Sequence, residues 1–134
     1  MRKHALPPAP SALAVGLLED IDRALFLVRK DARGEERLEM PCIEVMPGED
    51  PVAALAAAFR AQTGIDAAVH EIRFQKRHNA GTRKRKAIVP ALVFKVTAKR
   101  TVCQPSSEFC GYRWLEQKDL AGKKLSKKSE WLRM

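Results

Sequence analysis

The chain has 134 residues and a mass of 15.0 kDa, which suits one domain and leaves little room for a second. Hydrophobic residues make up 46% and charged residues 31%, so a packed core is within reach and the chain need not be disordered. The net charge is +9, and no run approaches the ~18 apolar residues of a membrane span.

Residues 1–11 are proline-rich and read as a loose lead-in. Two cations open the chain, but prolines and then Glu19, Asp20 and Asp22 interrupt any signal-peptide core, so a cytoplasmic protein is expected. Two apolar runs, residues 12–18 and 24–29, flank a polar turn and predict a pair of strands. Residues 30–37 are charged, contain Gly34 and read as a loop. Residues 38–46 predict a short, irregular extended piece broken by Pro41.

The clearest local signal is Gly48-Glu49-Asp50-Pro51. Asp50 is placed as an N-cap and Pro51 as the first helical residue, where its missing N–H costs nothing. An alanine-rich stretch follows, with Leu55 and Phe59 one turn apart, and Gly64 supplies a left-handed stop. The spacing predicts a helix over about 51–63. Residues 67–76 predict a strand, 77–86 a basic loop turning at Asn79-Ala80-Gly81, and 87–97 (AIVPALVFKVT) the most strand-like segment. Pro90 within it favours an edge or a bulge. Residues 101–107 read as a loop, 108–115 (EFCGYRWL) as a strand, and 118–121 as the start of a short helix. The cationic tail ends in Trp131-Leu132, which is expected to dock. Strands around one long helix give an α+β or mixed α/β class with one main sheet.

Cys42, Cys103 and Cys110 form no C-x-x-C pair, and the three histidines are scattered, so structural zinc and a disulfide framework are not expected. All three cysteines are expected to be small buried hydrophobes. Neither Ser106, Ser107 nor Cys42 has a base in its motif, so nucleophilic catalysis is unsupported. Tyr112 and Trp114 are two apart on a strand and are expected to share a face, as core or as a stacking surface.

Charge is unevenly spread. Residues 1–72 hold 8 Lys+Arg against 12 Asp+Glu, a net of −4; residues 73–134 hold 17 against 4, a net of +13. Between Glu71 and Glu108 there is no acid, and ten cations stand there. Lys76, Arg77, Arg83, Lys84, Arg85 and Lys86 are the candidate surface for a nucleotide or a longer polyanion, nucleic acid included. If they lie on a hairpin, alternation puts Arg83 with Arg85 and Lys84 with Lys86. The loop has no aromatic residue, so base stacking is weakly supported.

The segment EMPCIEVMPGEDPVAALAAAFRAQTGI (residues 39–65) resembles the box of the Nudix (MutT-like) hydrolases, G-x5-E-x7-R-E-U-x-E-E-x-G-U. Pro41, Pro47, Gly48, Glu49, Thr63, Gly64 and Ile65 stand in matching places, and Tyr112-Arg113-Trp114-Leu115 with Asp119-Leu120 is similar to the family's closing strand and final helix start. The resemblance implies a Nudix-like α/β/α sandwich over residues 12–121, with a mixed central sheet, one long helix after the box and a basic tail at 122–134.

The box is degenerate. Its paired glycines fall at Cys42 and Ile43, its R-E at Ala57 and Ala58, and its E-E at Ala61 and Gln62. Positions 58, 61 and 62 share a helix face, which in the family carries carboxylates for Mg²⁺. Alanine offers no ligand and glutamine only a neutral oxygen. Glu49 is the one surviving box carboxylate, the only metal ligand the box offers and a candidate catalytic group. Glu108, outside the box, is a second candidate catalytic group, or else an exposed partner for a nearby lysine.

Three functions stay open. The leading one is a Nudix-like domain, most of its carboxylates lost, that binds a nucleotide or polyanion through a basic face with no cofactor. The alternative is an atypical hydrolase of a nucleoside-diphosphate-linked substrate, using Mg²⁺ or Mn²⁺ at Glu49. The third is a protein-interaction module. The resemblance also allows a homodimer.

Overall fold

The structure, a computed structural model, describes residues 9–133. The first eight residues of the expected lead-in lie outside it, as does Met134. Seven strands form one mixed sheet: β1 (Ala12–Asp20), β2 (Arg23–Lys30), β3 (Glu36–Glu39), β4 (Cys42–Val45), β5 (Ala67–Asn79), β6 (Ile88–Ala98) and β7 (Gly111–Leu115). One helix, α1 (Pro51–Thr63), follows β4. Two 3₁₀ segments, Gln117–Leu120 and Lys127–Arg133, end the chain.

The path β3-β2-β1-β6-β5 runs across the sheet, with β4 added on β1 and β7 on β2. Among the described strands, only β1 and β6 pair in parallel. β1 divides its partners along its length. Ala12–Val15 pair with β4, and Glu19 and Asp20 pair with β2. This sheet is the α+β architecture that the sequence implied.

Alternation along the strands builds two packing layers. Ala12, Ala14, Leu25, Leu27, Phe94 and Val96 face α1, where Leu55 and Phe59 bury. Leu13, Val15, Phe26, Val28, Ala91 and Val93 face the other way, around Trp131. The second layer is therefore a 3₁₀ segment rather than a long helix. Trp131 is 1% exposed, and Ser126 and Ser129 bond to β3 and the residue after it: Ser126 N–H to Leu38 O at 2.9 Å, Met40 N–H to Ser129 Oγ at 3.0 Å. The cationic segment is thus tied to the core.

α1 begins and ends as its sequence dictates. Asp50 accepts the Val52 N–H, Pro51 occupies the first turn, and Gly64 closes it at φ 72°. The helix sits very close to β1, because a Cβ on Gly16 would lie 2.6 Å from the Phe59 ring.

Several boundaries differ from expectation. Residues 38–46 are not one irregular piece: β3 and β4 stand on either side of Met40-Pro41. Pro41 offers no N–H for a ladder, while its carbonyl accepts the Gly16 N–H at 2.8 Å. β5 runs to Asn79, beyond the expected end at 76. β7 starts at Gly111 rather than 108. β6 is an interior strand despite Pro90; the proline sits one residue before the β1 ladder starts at Ala91, where β6 has a neighbour on one side only. Cys42 and Cys103 are buried as expected, but Cys110 is exposed. Trp114 packs in the core, whereas Tyr112 is largely exposed.

Candidate functional site

The end of α1, the start of β4 and the loop before β7 meet at the box. Ala57 and Ala61 are exposed and Ala58 is buried. Gln62 is held by both ends of its amide. Its Nε2 donates to Cys42 O at 2.8 Å, and its Oε1 accepts the Cys42 N–H at 3.3 Å. The side chain is a strut between helix and strand. A carboxylate could not make the first bond, because it has no donor. The loop caps the helix C-terminus in turn: Gln104 N–H donates to Thr63 O at 2.8 Å and Ser106 N–H to Gln62 O at 3.0 Å.

The two candidate carboxylates are not brought together. Glu49 is exposed ahead of the helix, where its Oε1 accepts the Met46 N–H at 2.7 Å and closes the turn. Glu108 lies at the far end, 3.4 Å from Ser106 Oγ. From Pro51 to Gln62 the helix rises about 17 Å. Glu108 pairs with an arginine, not a lysine: Arg29 Nη2 lies 3.3 Å from it.

Arg29 is the centre of a cluster that sequence reading missed. Its Nε and Nη2 donate to both oxygens of Glu39, at 3.3 and 3.1 Å. Ser126 Oγ donates to the same carboxylate at 2.8 Å, and Arg29 lies 4.7 Å above the Phe109 ring. Glu39 is 3% exposed. Burial pulls the Arg29 pKa down, but the bonds and charges of Glu39 and Glu108 outweigh it and leave the pKa raised. A signal was available: Glu39 stands between two apolar residues, Leu38 and Met40, and an acid buried with such neighbours needs a cationic partner. Among the described residues, no group of three His, Cys, Asp or Glu converges as a metal site would need. The buried Cys42 and Cys103 thiols are pushed up by burial, Cys103 to about 11, and neither is a thiolate nucleophile.

The basic residues end the β5–β6 hairpin. Asn79 builds the turn: its Oδ1 accepts from Gly81 N–H at 2.9 Å and Ala87 N–H at 3.0 Å, and its Nδ2 donates to Thr82 O at 3.2 Å. Thr82 and Arg85 then close on each other, with Thr82 N–H to Arg85 O at 3.0 Å and Arg85 N–H to Thr82 Oγ1 at 2.9 Å. Gly81 fits because a Cβ there would lie 2.1 Å from Arg85 O. Arg83–Lys86 are exposed in this turn rather than on paired strands, so the alternate projection does not apply to them. Lys76 and Arg77 lie on β5 itself and face opposite sides. Lys127 donates to Gly81 O, which brings the basic end of the chain against the turn.

Two cavities carry cations, and neither is lined by Ala58, Ala61 or Gln62. One of about 270 Å³ lies between β2, β3, β7 and residues 122–124, with Arg113, Lys123 and Lys124 in its wall. A larger groove of about 830 Å³ lies past the end of α1, with Lys99 and Arg100 beside Asp66.

No protein-family model and no curated protein matches the chain. Solved structures do. The MutT protein from Methanosarcina mazei Go1 superposes with a TM-score of 0.71 at 21% identity, covering 96% of this chain and 94% of that one. The E. coli ORF135 protein gives 0.72 at 18% identity, covering 91% and 85%. An ADP-ribose pyrophosphatase from Streptococcus suis gives 0.65 at 13% identity, covering 92% and 85%. Superpositions of this quality over most of each chain establish the fold, and the fold is that of the Nudix hydrolases.

Proposed function

We propose that this Nudix-fold domain binds a phosphate-bearing ligand, a nucleotide or a longer polyanion, through arginine and lysine and does not hydrolyse it. One observation carries the reading. At the position where the family resemblance puts a metal carboxylate, Gln62 spends both amide atoms on the Cys42 backbone. Ala58 and Ala61 add no oxygen, and Glu49 stands a helix length away. This donor set does not fit Mg²⁺, which takes an octahedron of hard oxygens. No water-activating step is therefore routed through a metal here.

Electrostatics support the binding half. The second half of the chain carries +13, and cations line both cavities and the hairpin turn. Some structural neighbours are named for nucleotide-linked compounds, ADP-ribose among them, which fits a ligand of that class. Among the described residues no helix is long and apolar enough to cross a membrane, and the reading requires none.

The test is a turnover panel of nucleoside triphosphates, dinucleoside polyphosphates, ADP-ribose and nucleotide sugars in Mg²⁺ and Mn²⁺, beside nucleotide titrations at rising salt. The expected result is no turnover and an affinity that falls as salt rises. Metal-dependent turnover lost in Glu49→Ala would overturn the reading in favour of hydrolysis, and salt-independent binding would remove its electrostatic basis.

A further inference from the structure

The hairpin turn is built more firmly than a solvated loop requires. Asn79 and Thr82 satisfy its backbone from within, and Lys127 ties it from outside. Rigid presentation removes ordering cost from binding. The cations so presented also lack acids. Arg29, Arg37, Arg73, Arg113, Lys118 and Lys124 all sit within ion-pair distance of a carboxylate, whereas Arg83, Lys84, Arg85 and Lys86 make no ion pair among the described residues.

Geometry narrows the ligand. The β1 ladder on β6 stops at Ala91, but β5 and β6 remain paired out to Asn79 and Ile88. The end of the hairpin thus projects past the β1 ladder as a two-stranded ribbon, packed on one face, where His78 is buried beside Glu44, and exposed at its turn. Charge surrounds it: Arg77 lies on the α1 side of the ribbon, and Lys127 reaches it from the Trp131 side. A nucleotide in a one-sided pocket would use one face. A groove with phosphates along both walls would use both. The turn holds no aromatic residue, so it offers no platform for unstacked bases.

We propose that the β5–β6 hairpin end enters the major groove of B-form duplex DNA and grips phosphates on both walls without reading bases. That groove, ~12 Å wide, admits a two-stranded ribbon. The A-form major groove of duplex RNA is too deep and narrow for one. Arginine and lysine contacts to phosphate carry no sequence information. This inference rests on the polyanion-binding reading and specifies its ligand.

The experiment is fluorescence anisotropy of the full chain against short labelled DNA duplexes of two unrelated sequences, a duplex RNA and a single strand. About four phosphate contacts predict an affinity that falls roughly 10²-fold between 50 and 200 mM salt. The two DNA duplexes should bind alike, and both more tightly than RNA or single strand. Arg83→Ala/Arg85→Ala should weaken duplex binding at least about 10-fold and reduce the salt slope by about two. Lys84→Glu should weaken it too. All three side chains are exposed, so melting curves should not move. Duplex binding unchanged in both variants, preference for RNA or single strand, or no duplex binding would each overturn the inference. If nucleotides still bind in a salt-dependent way while duplex DNA does not, the hairpin assignment fails and the broader reading stands.

Discussion

Gln62 is the residue on which the proposed loss of metal chemistry turns, and two substitutions separate its possible roles. Gln62→Ala removes two hydrogen bonds to the Cys42 backbone, one at 2.8 Å and one at 3.3 Å. At about 1 kcal/mol each, the cost is about 2 kcal/mol. Unfolding entropy near 2.1 cal/mol/K per residue gives ~0.28 kcal/mol/K for this chain, so Tm should fall by about 7 °C. Gln62→Glu keeps the size but sets a carboxylate oxygen against Cys42 O in place of a donor. At pH 8 it should cost more than alanine, about 3 kcal/mol.

The glutamate variant should also recover in acid. Its protonated form can donate to Cys42 O, so folding raises its pKa above the unfolded value of ~4.3. The bond is then fully present below that value and lost as pH rises through the raised folded pKa. Thermal melts by circular dichroism at pH 8 and pH 4, with and without Mg²⁺, read both effects against the parent chain. If Gln62→Glu melts with the parent at pH 8, or gains several degrees in Mg²⁺ that the parent does not gain, the amide strut is not what this position is for. The position would then be a functional metal seat.

Other predictions follow from single observations. Ile21 sits at φ 59° in the β1–β2 turn and is 85% exposed, so Ile21→Gly should relieve strain of about 1 kcal/mol and raise Tm by ~3–4 °C. Trp131→Ala should cost about 3–5 kcal/mol in urea unfolding, and truncation after Ala121 should leave the chain unfolded; a truncated chain with a native-like melt would show that the basic segment is dispensable. His78 is buried 3.8 Å from Glu44, and its Nε2 has no hydrogen-bond partner. Burial lowers its pKa despite Glu44, with Lys127 and Lys128 acting in the same sense as burial. The unfolded chain therefore takes up a proton near pH 6.5 that the folded chain refuses. Stability should fall as pH drops below ~6.5, and that slope should flatten in His78→Leu, read from urea midpoints across pH 5–8.

What was legible in the sequence was local. Asp50, Pro51 and Gly64 settle α1 within a few residues of chain, and the β1–β2 pair follows from two apolar runs and a short turn. The hairpin's basic turn was legible as a position, but not its shape: Asn79 and Thr82 organise Arg83–Lys86 through backbone bonds that have no periodic signature. Distant pairings were not legible. Arg29 and Glu108 are 79 residues apart, and Ser126 is 87 from Glu39. The docking of Trp131 was foreseeable from its apolar bulk, but its seat among Leu13, Val15 and Met40 is set by the sheet. Pro90 misled because a proline constrains one ladder edge, and the interior strand leaves that edge unpaired at its first residues.

On the proposed binding reading, Arg29 and Gln62 together account for a site that stands without a divalent ion. Clustered carboxylates repel one another and call for a cation. Here Ala58, Ala61 and Gln62 carry no charge, and two acids, Glu39 and Glu108, are bridged by Arg29. A guanidinium matches a carboxylate well and offsets part of their charge, with Phe109 beneath it. It cannot act as a Lewis acid toward water, and, held protonated, it neither accepts a proton nor lowers the pKa of a bound water as a metal does. On the proposed reading, such an exchange keeps the fold folded while removing the step that makes hydroxide. Holding rather than cutting, as proposed, rests on this exchange: it requires that a bound phosphate meet fixed cations and no activated nucleophile.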